Sequence, residues 1–228
     1  PLSRRYSTVL LDAGGVLLDL DYHRLIRMLG ERGCTAGREE LSLYEAHARV
    51  EIENKVRNGG RTSQAWRGSF YTILEQAGLD SGEHDPLVDE LWEYHHRHGL
   101  WVEPIPGARE AVIRLQRLGF RLGVVSNAEG RIEQDLMATG FDGLFETVVD
   151  SHRVGVEKPD PEIFRIALSR MGEDAANTLF AGDVPAVDVA GARSAGIAPV
   201  LVDRHDLFQD VDAVRIRSLA ELPDRLER

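Results

Sequence analysis

Polar side chains able to hold a phosphate or a cation stand at three places where an apolar run of the sequence ends. These residues are Asp12, Ser126 with Asn127, and Asp183. Carboxylate oxygens bind hard cations, while hydroxyl and amide groups donate hydrogen bonds to anions. The three places therefore suit a phosphate together with a metal ion, provided that the fold brings them together.

Two further charged residues have positions that favour the same site. Asp188 stands five residues after Asp183, about one and a half helical turns later, and this spacing can turn two carboxylates toward one pocket. Lys158 precedes the helix start at 159–161 and adds a cation. Singly, each residue is explained as a turn former, a helix cap or a solvated surface charge. Their order along the chain is what favours a shared site.

The elements that would position these residues alternate between strand and helix from residue 104 onward. Predicted strands occupy 120–125, 147–149, 178–180 and 198–202, with predicted helices between them. Together with a first strand at 6–11, this alternation indicates a parallel sheet with helices on both faces. The carboxyl ends of parallel strands share one edge, so residues far apart in the chain converge there.

Residues 17–103 have a different pattern, because apolar positions recur there at helical spacing and no strand is predicted. Helix starts at Asp21 and Asp85, with glycine breaks between the segments, predict a small helical bundle. We therefore predict two domains. Residues 1–16 and 104–228 form an α/β core, and 17–103 form an inserted helical domain.

Composition limits the class of protein. A chain of 228 residues that is 43% hydrophobic and 29% charged is typical of a globular protein with a sizeable core. The formal net charge of −11 argues against nucleic acid as a partner, since phosphate contacts need clustered Lys and Arg. No apolar run approaches the ~18 residues that span a bilayer. We expect no membrane association and a cytoplasmic location, with which the single cysteine, Cys34, agrees.

The order Asp, Ser, Lys, Asp, Asp resembles the haloacid dehalogenase (HAD) superfamily of hydrolases over nearly the whole chain. The motifs that carry the resemblance are Asp12-Ala13-Gly14-Gly15-Val16, Val124-Val125-Ser126-Asn127-Ala128, Lys158-Pro159-Asp160-Pro161-Glu162-Ile163-Phe164 and Gly182-Asp183-Val184-Pro185-Ala186-Val187-Asp188. The resemblance implies a Rossmann-like core of three α/β/α layers, with the insert as a C1-type cap. It also implies hydrolysis of a small phosphorylated metabolite. The oligomeric state is left open between a monomer and a homodimer.

By this resemblance, Asp12 is the nucleophile of a phosphatase and forms an aspartyl-phosphate that water then cleaves. The crowded negative oxygens of such a reaction require a hard cation, and the resemblance implies Mg²⁺. Asp12 and Asp183 would be direct carboxylate ligands. The Gly14 carbonyl would be a third ligand and Asp188 a supporting partner.

The phosphorylated substrate has its own set of candidate groups. Ser126 would donate a hydrogen bond to the transferring phosphoryl group, with Asn127 beside it. Lys158 would neutralise the charge of that group and steady the nucleophile. In the insert, Arg61 follows a glycine-rich loop and is a candidate for binding a second anionic group.

The first motif departs from the usual phosphatase pattern, in which a second aspartate two residues after the nucleophile acts as general acid and base. This chain has Gly14 there, and a missing proton donor costs about 10²- to 10⁴-fold for a poor leaving group. Asp19 and Asp21 are possible substitutes, although both are better explained as helix caps. The alternatives are a 2-haloacid dehalogenase, which needs no metal, and a catalytically impaired member that binds a phosphorylated ligand or a protein partner. The retained metal carboxylates favour phosphoryl transfer.

Overall fold

A computed structural model describes residues 6–227, apart from the side chains of Ser63 and Gln64. Its strands are β1 (Thr8–Leu11), β2 (Leu18–Leu20), β3 (Trp101–Pro104), β4 (Arg121–Ser126), β5 (Thr147–Asp150), β6 (Thr178–Gly182), β7 (Ala198–Val202) and β8 (Val214–Ile216). Its α-helices are α1 (Tyr22–Gly30), α2 (Arg38–Arg57), α3 (Thr62–Gln76), α4 (His84–His98), α5 (Ala108–Arg117), α6 (Ile132–Ala138), α7 (Ser151–Val154), α8 (Pro161–Met171), α9 (Ala190–Ser194) and α10 (Leu222–Leu226). None of the helices in this part of the chain is long and apolar enough to cross a lipid bilayer.

Six of the strands form one parallel sheet in the order β5-β4-β1-β6-β7-β8. Every residue of β1 and β6, the two central strands, is buried. Strands that are apolar on both faces occur where helices cover both sides of a parallel sheet. The predicted α/β, Rossmann-like fold is confirmed.

Helix α8 packs on this sheet and fixes the segment that carries Lys158. Ile163 and Phe164 of α8 belong to one buried cluster with Leu10 and Phe180 of the central strands. The rings of Phe164 and Phe180 meet edge to face, with 4.9 Å between their centroids. Because Asp160 caps α8 through the backbone N–H of Glu162, the helix start is held at a defined place three residues after Lys158.

The described residues form two compact units. The α/β unit consists of the chain up to Asp19 and from Pro104 onward, and the helical unit consists of Leu20–Glu103. The helical unit has a core of its own, to which all four of its helices contribute, for example through Leu25, Leu41, Phe70 and Leu91. The role of this insert as a cap stays a prediction.

Strands β2 and β3 form a separate two-stranded sheet where the chain passes between the units. The prediction that the insert contains no strand is therefore wrong. Strands of three and four residues are too short to show a clear alternation of apolar and polar residues. Each is paired with a partner far along the chain, which local sequence does not reveal.

Candidate active site

The strand register brings Asp12, Ser126 and Asp183 to one edge of the large sheet. The last residue of β1 is paired with Val124 of β4 and with Ala181 of β6. Asp12 directly follows β1, Ser126 ends β4, and Asp183 directly follows β6. All three side chains are buried, so polar atoms at this edge are shielded from bulk water.

Asp188 stabilises the turn that follows β6. Its Oδ2 accepts hydrogen bonds from the backbone N–H groups of Asp183 and Val184, each at 2.9 Å. Asp188 lies in the π-helical turn Pro185–Val189 that precedes α9, which is wider than an α-helical turn. The carboxylate therefore holds the backbone from which the Asp183 side chain projects.

Lys158 joins two of the carboxylates. Its Nζ lies 2.8 Å from Oδ2 of Asp12 and 2.8 Å from Oδ1 of Asp188, and its side chain is only 1% exposed. The other oxygen of Asp12 accepts the backbone N–H of Ala13 at 2.7 Å. Both carboxylate oxygens of Asp12 are thus held, and the orientation of the side chain is defined.

The positive charge of Lys158 and the negative charges of its two aspartate partners stabilise one another. Burial by itself lowers the pKa of Lys158, but the attraction of Asp12 and Asp188 is larger in sum and leaves the pKa above its ordinary value of 10.5. Burial raises the pKa of Asp12 above 3.8, while the attraction of Lys158 opposes that rise. The lysine therefore stays protonated, and it compensates only part of the negative charge around it.

The oxygen atoms of three aspartates form a donor set that suits a hard divalent cation. One carboxylate oxygen from each of Asp12, Asp183 and Asp188 lies within 4.8 Å of the others. Three carboxyl groups beside one ammonium group favour a cation at this place, because uncompensated buried negative charge is costly. Oδ2 of Asp188 already accepts two hydrogen bonds and its Oδ1 accepts one from Lys158, which agrees with a supporting role for this carboxylate.

The side chain of Asn127 lies against the backbone of Lys158. Its Oδ1 accepts the Lys158 N–H at 2.7 Å, and its Nδ2 donates to the Lys158 carbonyl oxygen at 2.9 Å. The contact with substrate that the sequence suggests for Asn127 stays a prediction. What the structure places next to Asn127 is the segment that carries the catalytic lysine candidate.

A family model described as haloacid dehalogenase-like hydrolase matches residues 6–196, which contain all of these side chains. The chain belongs to the haloacid dehalogenase-like hydrolase family. It is 35% identical over 178 residues to glyceraldehyde 3-phosphate phosphatase of Pyrococcus abyssi, covering 71% of this chain and 75% of the relative. The resemblance that the four motifs indicate is confirmed.

Solved structures of HAD-like proteins share the fold. The putative HAD-hydrolase YfnB of Bacillus subtilis, solved with magnesium bound, matches 98% of this chain and 100% of its own, with a TM-score of 0.72 and 22% identity. The 2-haloacid dehalogenase of Pseudomonas syringae matches 96% of this chain and 97% of its own, with a TM-score of 0.57 and 26% identity. Proteins similar to this chain are thus named for more than one chemistry, phosphatase and dehalogenase, and the site residues have to distinguish the two.

In this HAD-like chain the candidate substitute acids are engaged elsewhere. Asp21 caps α1 by accepting the backbone N–H of Arg24 at 2.9 Å, as predicted. Asp19 does not cap the helix. It pairs with Arg204 through two bonds of 2.9 and 3.1 Å. The pairing partner comes from the far end of the chain, so the sequence alone did not indicate it.

The roles that the sequence suggests for Gly14 and Arg61 stay predictions. Gly14 lies in the turn after Asp12, where it bridges to Leu18, and its carbonyl is the predicted third metal ligand. Arg61 is exposed and directly precedes α3 in the helical unit. It therefore belongs to the helical unit, whereas Asp12, Asp183 and Asp188 belong to the α/β unit.

Sequence reasoning missed Asp150 and Ser151, which support the loop after Ser126. The Asp150 carboxylate accepts the backbone N–H groups of Gly130 at 3.0 Å and Ile132 at 3.4 Å. Ser151 exchanges two hydrogen bonds of 3.1 Å with the backbone of Ala128. The signal was present, because both polar residues end or follow a predicted strand at the same edge as the other site residues.

Proposed function

We propose that this chain is a Mg²⁺-dependent phosphatase that hydrolyses a small phosphorylated metabolite through an aspartyl-phosphate at Asp12. The observation that carries the proposal is the buried group of three aspartates and Lys158. It combines an oriented carboxylate nucleophile with oxygen donors for a cation. Both are needed where a negatively charged side chain attacks a negatively charged ester.

In the first step an oxygen of the Asp12 carboxylate attacks the phosphorus atom in line with the leaving oxygen. An O–P bond forms to Asp12 while the bond from phosphorus to the leaving oxygen breaks, and its electron pair stays with that oxygen. The leaving alkoxide takes a proton from water, because Gly14 supplies no acid. In the second step water attacks the phosphorus, releases phosphate, gives its proton to solvent and regenerates Asp12.

The neighbouring side chains hold charge and geometry during both steps. Lys158 keeps Asp12 oriented and offers positive charge to the phosphoryl oxygens. Ser126, buried at the end of β4, would donate a hydrogen bond to the same group. Mg²⁺ bound by Asp12, Asp183 and the Gly14 carbonyl, with Asp188 supporting them, would neutralise phosphoryl charge as it develops.

The substrate class rests on two supports. The relative from Pyrococcus abyssi is named for a small phosphorylated substrate, and the formal net charge of −11 disfavours a polyanion as substrate. We extend the proposal to the predicted insert, at residues 17–103, as a cap that excludes water and contacts the substrate. Arg61 is its candidate for a second anionic group.

A 2-haloacid dehalogenase is the second candidate, because a structural relative with 26% identity carries that name. There the carboxylate attacks carbon and a halide ion leaves, which needs no metal. Asp183 and Asp188 favour the phosphatase. Two buried carboxylates beside the nucleophile would be costly in an enzyme that binds no cation.

The test is hydrolysis of p-nitrophenyl phosphate, whose leaving group needs little protonation. We expect turnover with Mg²⁺, loss of turnover with EDTA, and a loss of at least about 10⁴-fold in kcat for Asp12→Asn, because the nucleophile is removed. Asp210→Asn, at an exposed aspartate of the α/β unit, is the matched control and should keep native activity.

Two outcomes would overturn the proposal. The first is equal turnover by the native protein and Asp12→Asn, and the second is an absence of turnover with Mg²⁺ present. In the second case, chloride release from 2-chloropropionate without metal would identify a dehalogenase. If neither activity were present, the chain would be a binding protein.

A further inference from the structure

The amide of Asn127 and the backbone of Lys158 form a two-bond bracket, which we define as the pair of hydrogen bonds at 2.7 and 2.9 Å. A carboxamide offers one acceptor and one donor side by side, as a peptide group does. It can therefore pair with the N–H and C=O of one residue in the way that a neighbouring strand would. The bracket joins two segments 31 positions apart in the chain.

The Asn127 end of the bracket is itself fixed. Ala128 and Gly130 of the same loop, and Ile132 at the start of α6, are held by Asp150, the last residue of β5, and by Ser151 directly after it. Because Asn127 lies on this fixed loop, its side chain also restricts the position of the Lys158 backbone that it binds. The Lys158 segment therefore takes its place partly from β5, although β5 itself carries no predicted catalytic group.

The Lys158 end of the bracket has to be positioned accurately. From one Nζ atom, Lys158 reaches Asp12 and Asp188 at 2.8 Å each. A backbone shift that moved Nζ by about 1 Å away from either carboxylate would lengthen that contact beyond hydrogen-bond range, and displacements of that size cost about 10²-fold in rate. The bracket is thus placed where a small shift has a large effect.

We propose that Asn127 is a positioning residue that acts through Lys158 and is not a substrate-binding residue. This inference deepens the proposed phosphatase function and rests on it for its kinetic test. The position needs asparagine in particular. Alanine would remove both bonds, while an ionised aspartate would keep only the bond from the Lys158 N–H and would repel the Lys158 carbonyl oxygen.

The kinetic test uses Asn127→Ala and Asn127→Asp with p-nitrophenyl phosphate and Mg²⁺. A positioning role predicts a fall in kcat of about 10- to 100-fold for Asn127→Ala, with KM within about twofold of native. Asn127→Asp should show a smaller fall than alanine. Asn177→Ala, at an exposed asparagine that precedes β6, is the matched control and should behave as native. A rise in KM larger than the fall in kcat would overturn the inference in favour of substrate binding.

A double-mutant cycle with Lys158→Ala tests whether Asn127 acts through the lysine. If it does, Asn127→Ala should add less than about twofold to the loss caused by Lys158→Ala alone. Independent effects that multiply would contradict the proposal. They would mean that Asn127 contributes to the reaction without the lysine side chain.

Amide hydrogen exchange measured by NMR tests the bracket without any activity. In Asn127→Ala the Lys158 amide should exchange at least about tenfold faster, because its acceptor is gone. The Val184 amide, bonded to Asp188, should exchange as in the native protein. If the native protein hydrolyses no phosphate ester, the proposed function fails, and this exchange measurement still decides whether the bracket exists. Unchanged exchange at Lys158 would show that it does not.

Discussion

At the scale of the residue, the arrangement of Asp12, Asp183 and Asp188 depends on having glycine, which has no side chain, at position 182, the last residue of β6. A methyl group there would lie 2.4 Å from Cγ and 2.5 Å from Cβ of Asp188, well inside van der Waals contact. Asp188 would have to move. Its movement would break the bonds to the backbone of Asp183 and Val184 and to the Lys158 ammonium group.

We therefore expect Gly182→Ala to lower the phosphatase kcat by about 10²-fold or more. The free energy of unfolding should fall by about 1–3 kcal/mol, because the extra methyl overpacks the site. Gly30→Ala is the matched control, since Gly30 ends α1 with nothing within 4 Å of an added methyl group. It should leave activity unchanged and stability within about 1 kcal/mol. Steady-state hydrolysis and urea unfolding measure both, and similar losses in the two variants would contradict the argument.

At the scale of the element, Glu173 links the segment after the carboxyl end of helix α8 to the amino-terminal edge of the sheet. Its carboxylate accepts the backbone N–H of Asp174 at 3.1 Å and the hydroxyls of Thr8 and Ser7 at 2.9 and 3.0 Å. Arg121, which begins β4, lies 3.6 Å away. The hydrogen bonds, first of all the one from Asp174, hold the pKa of Glu173 below its ordinary value of 4.5.

We expect Glu173→Gln to lower the free energy of unfolding by about 1 kcal/mol at neutral pH. A carboxylate with a depressed folded-state pKa stabilises the protein fully above its unfolded-state pKa. That stabilisation is lost as the pH falls through the folded-state value. The difference between native and variant should therefore shrink below about pH 4.5. Urea unfolding at a series of pH values measures this, with Glu75→Gln, at an exposed residue of α3, as control. A difference that stayed constant into acid would rule the interpretation out.

Elements with a complete local signal were predictable from the sequence. The cap at Asp21 marked α1, the cap at Asp160 with Pro161 marked α8, and the apolar run before Asp12 marked β1. The helix expected between the predicted strands at 178–180 and 198–202 was less accurate, because that segment divides into a π-helical turn and α9. That turn depends on bonds from Asp188 back to the end of β6, which periodicity does not describe.

The site was predictable as a set of residues and not as a set of contacts. Strand ends and the parallel sheet were enough to bring Asp12, Ser126 and Asp183 to one edge. The partner of Asn127 was not predictable, because a side-chain amide can bind a ligand or a backbone equally well by its chemistry. The Asp19–Arg204 pair was hidden for the related reason that its two residues are far apart in the chain.

At the scale of the whole molecule, the chain interrupts one folded unit with another. Within the α/β unit, the Ile105 N–H donates to the Leu17 carbonyl oxygen at 2.9 Å, and within the helical unit, the Asp21 N–H donates to the Leu100 carbonyl oxygen at 2.7 Å. In each unit, the two chain segments that lead to and from the other unit thus lie side by side. Insertions are tolerated where the ends of the inserted unit are close together and each unit has its own core.

We expect the α/β unit to fold without the insert when a short Gly/Ser linker replaces residues 20–103, because its sheet, its core cluster and the three metal-binding candidates all lie outside that segment. All three tryptophans lie inside the insert, so unfolding has to be followed by circular dichroism. Mg²⁺ should raise the unfolding temperature, with a stabilisation of about 2.7 kcal/mol at a concentration 100 times its Kd. Asp183→Asn in the same shortened chain should remove that shift. A shortened chain that is unfolded would show that the sheet needs the helical unit, and a shift that survives Asp183→Asn would place the cation elsewhere.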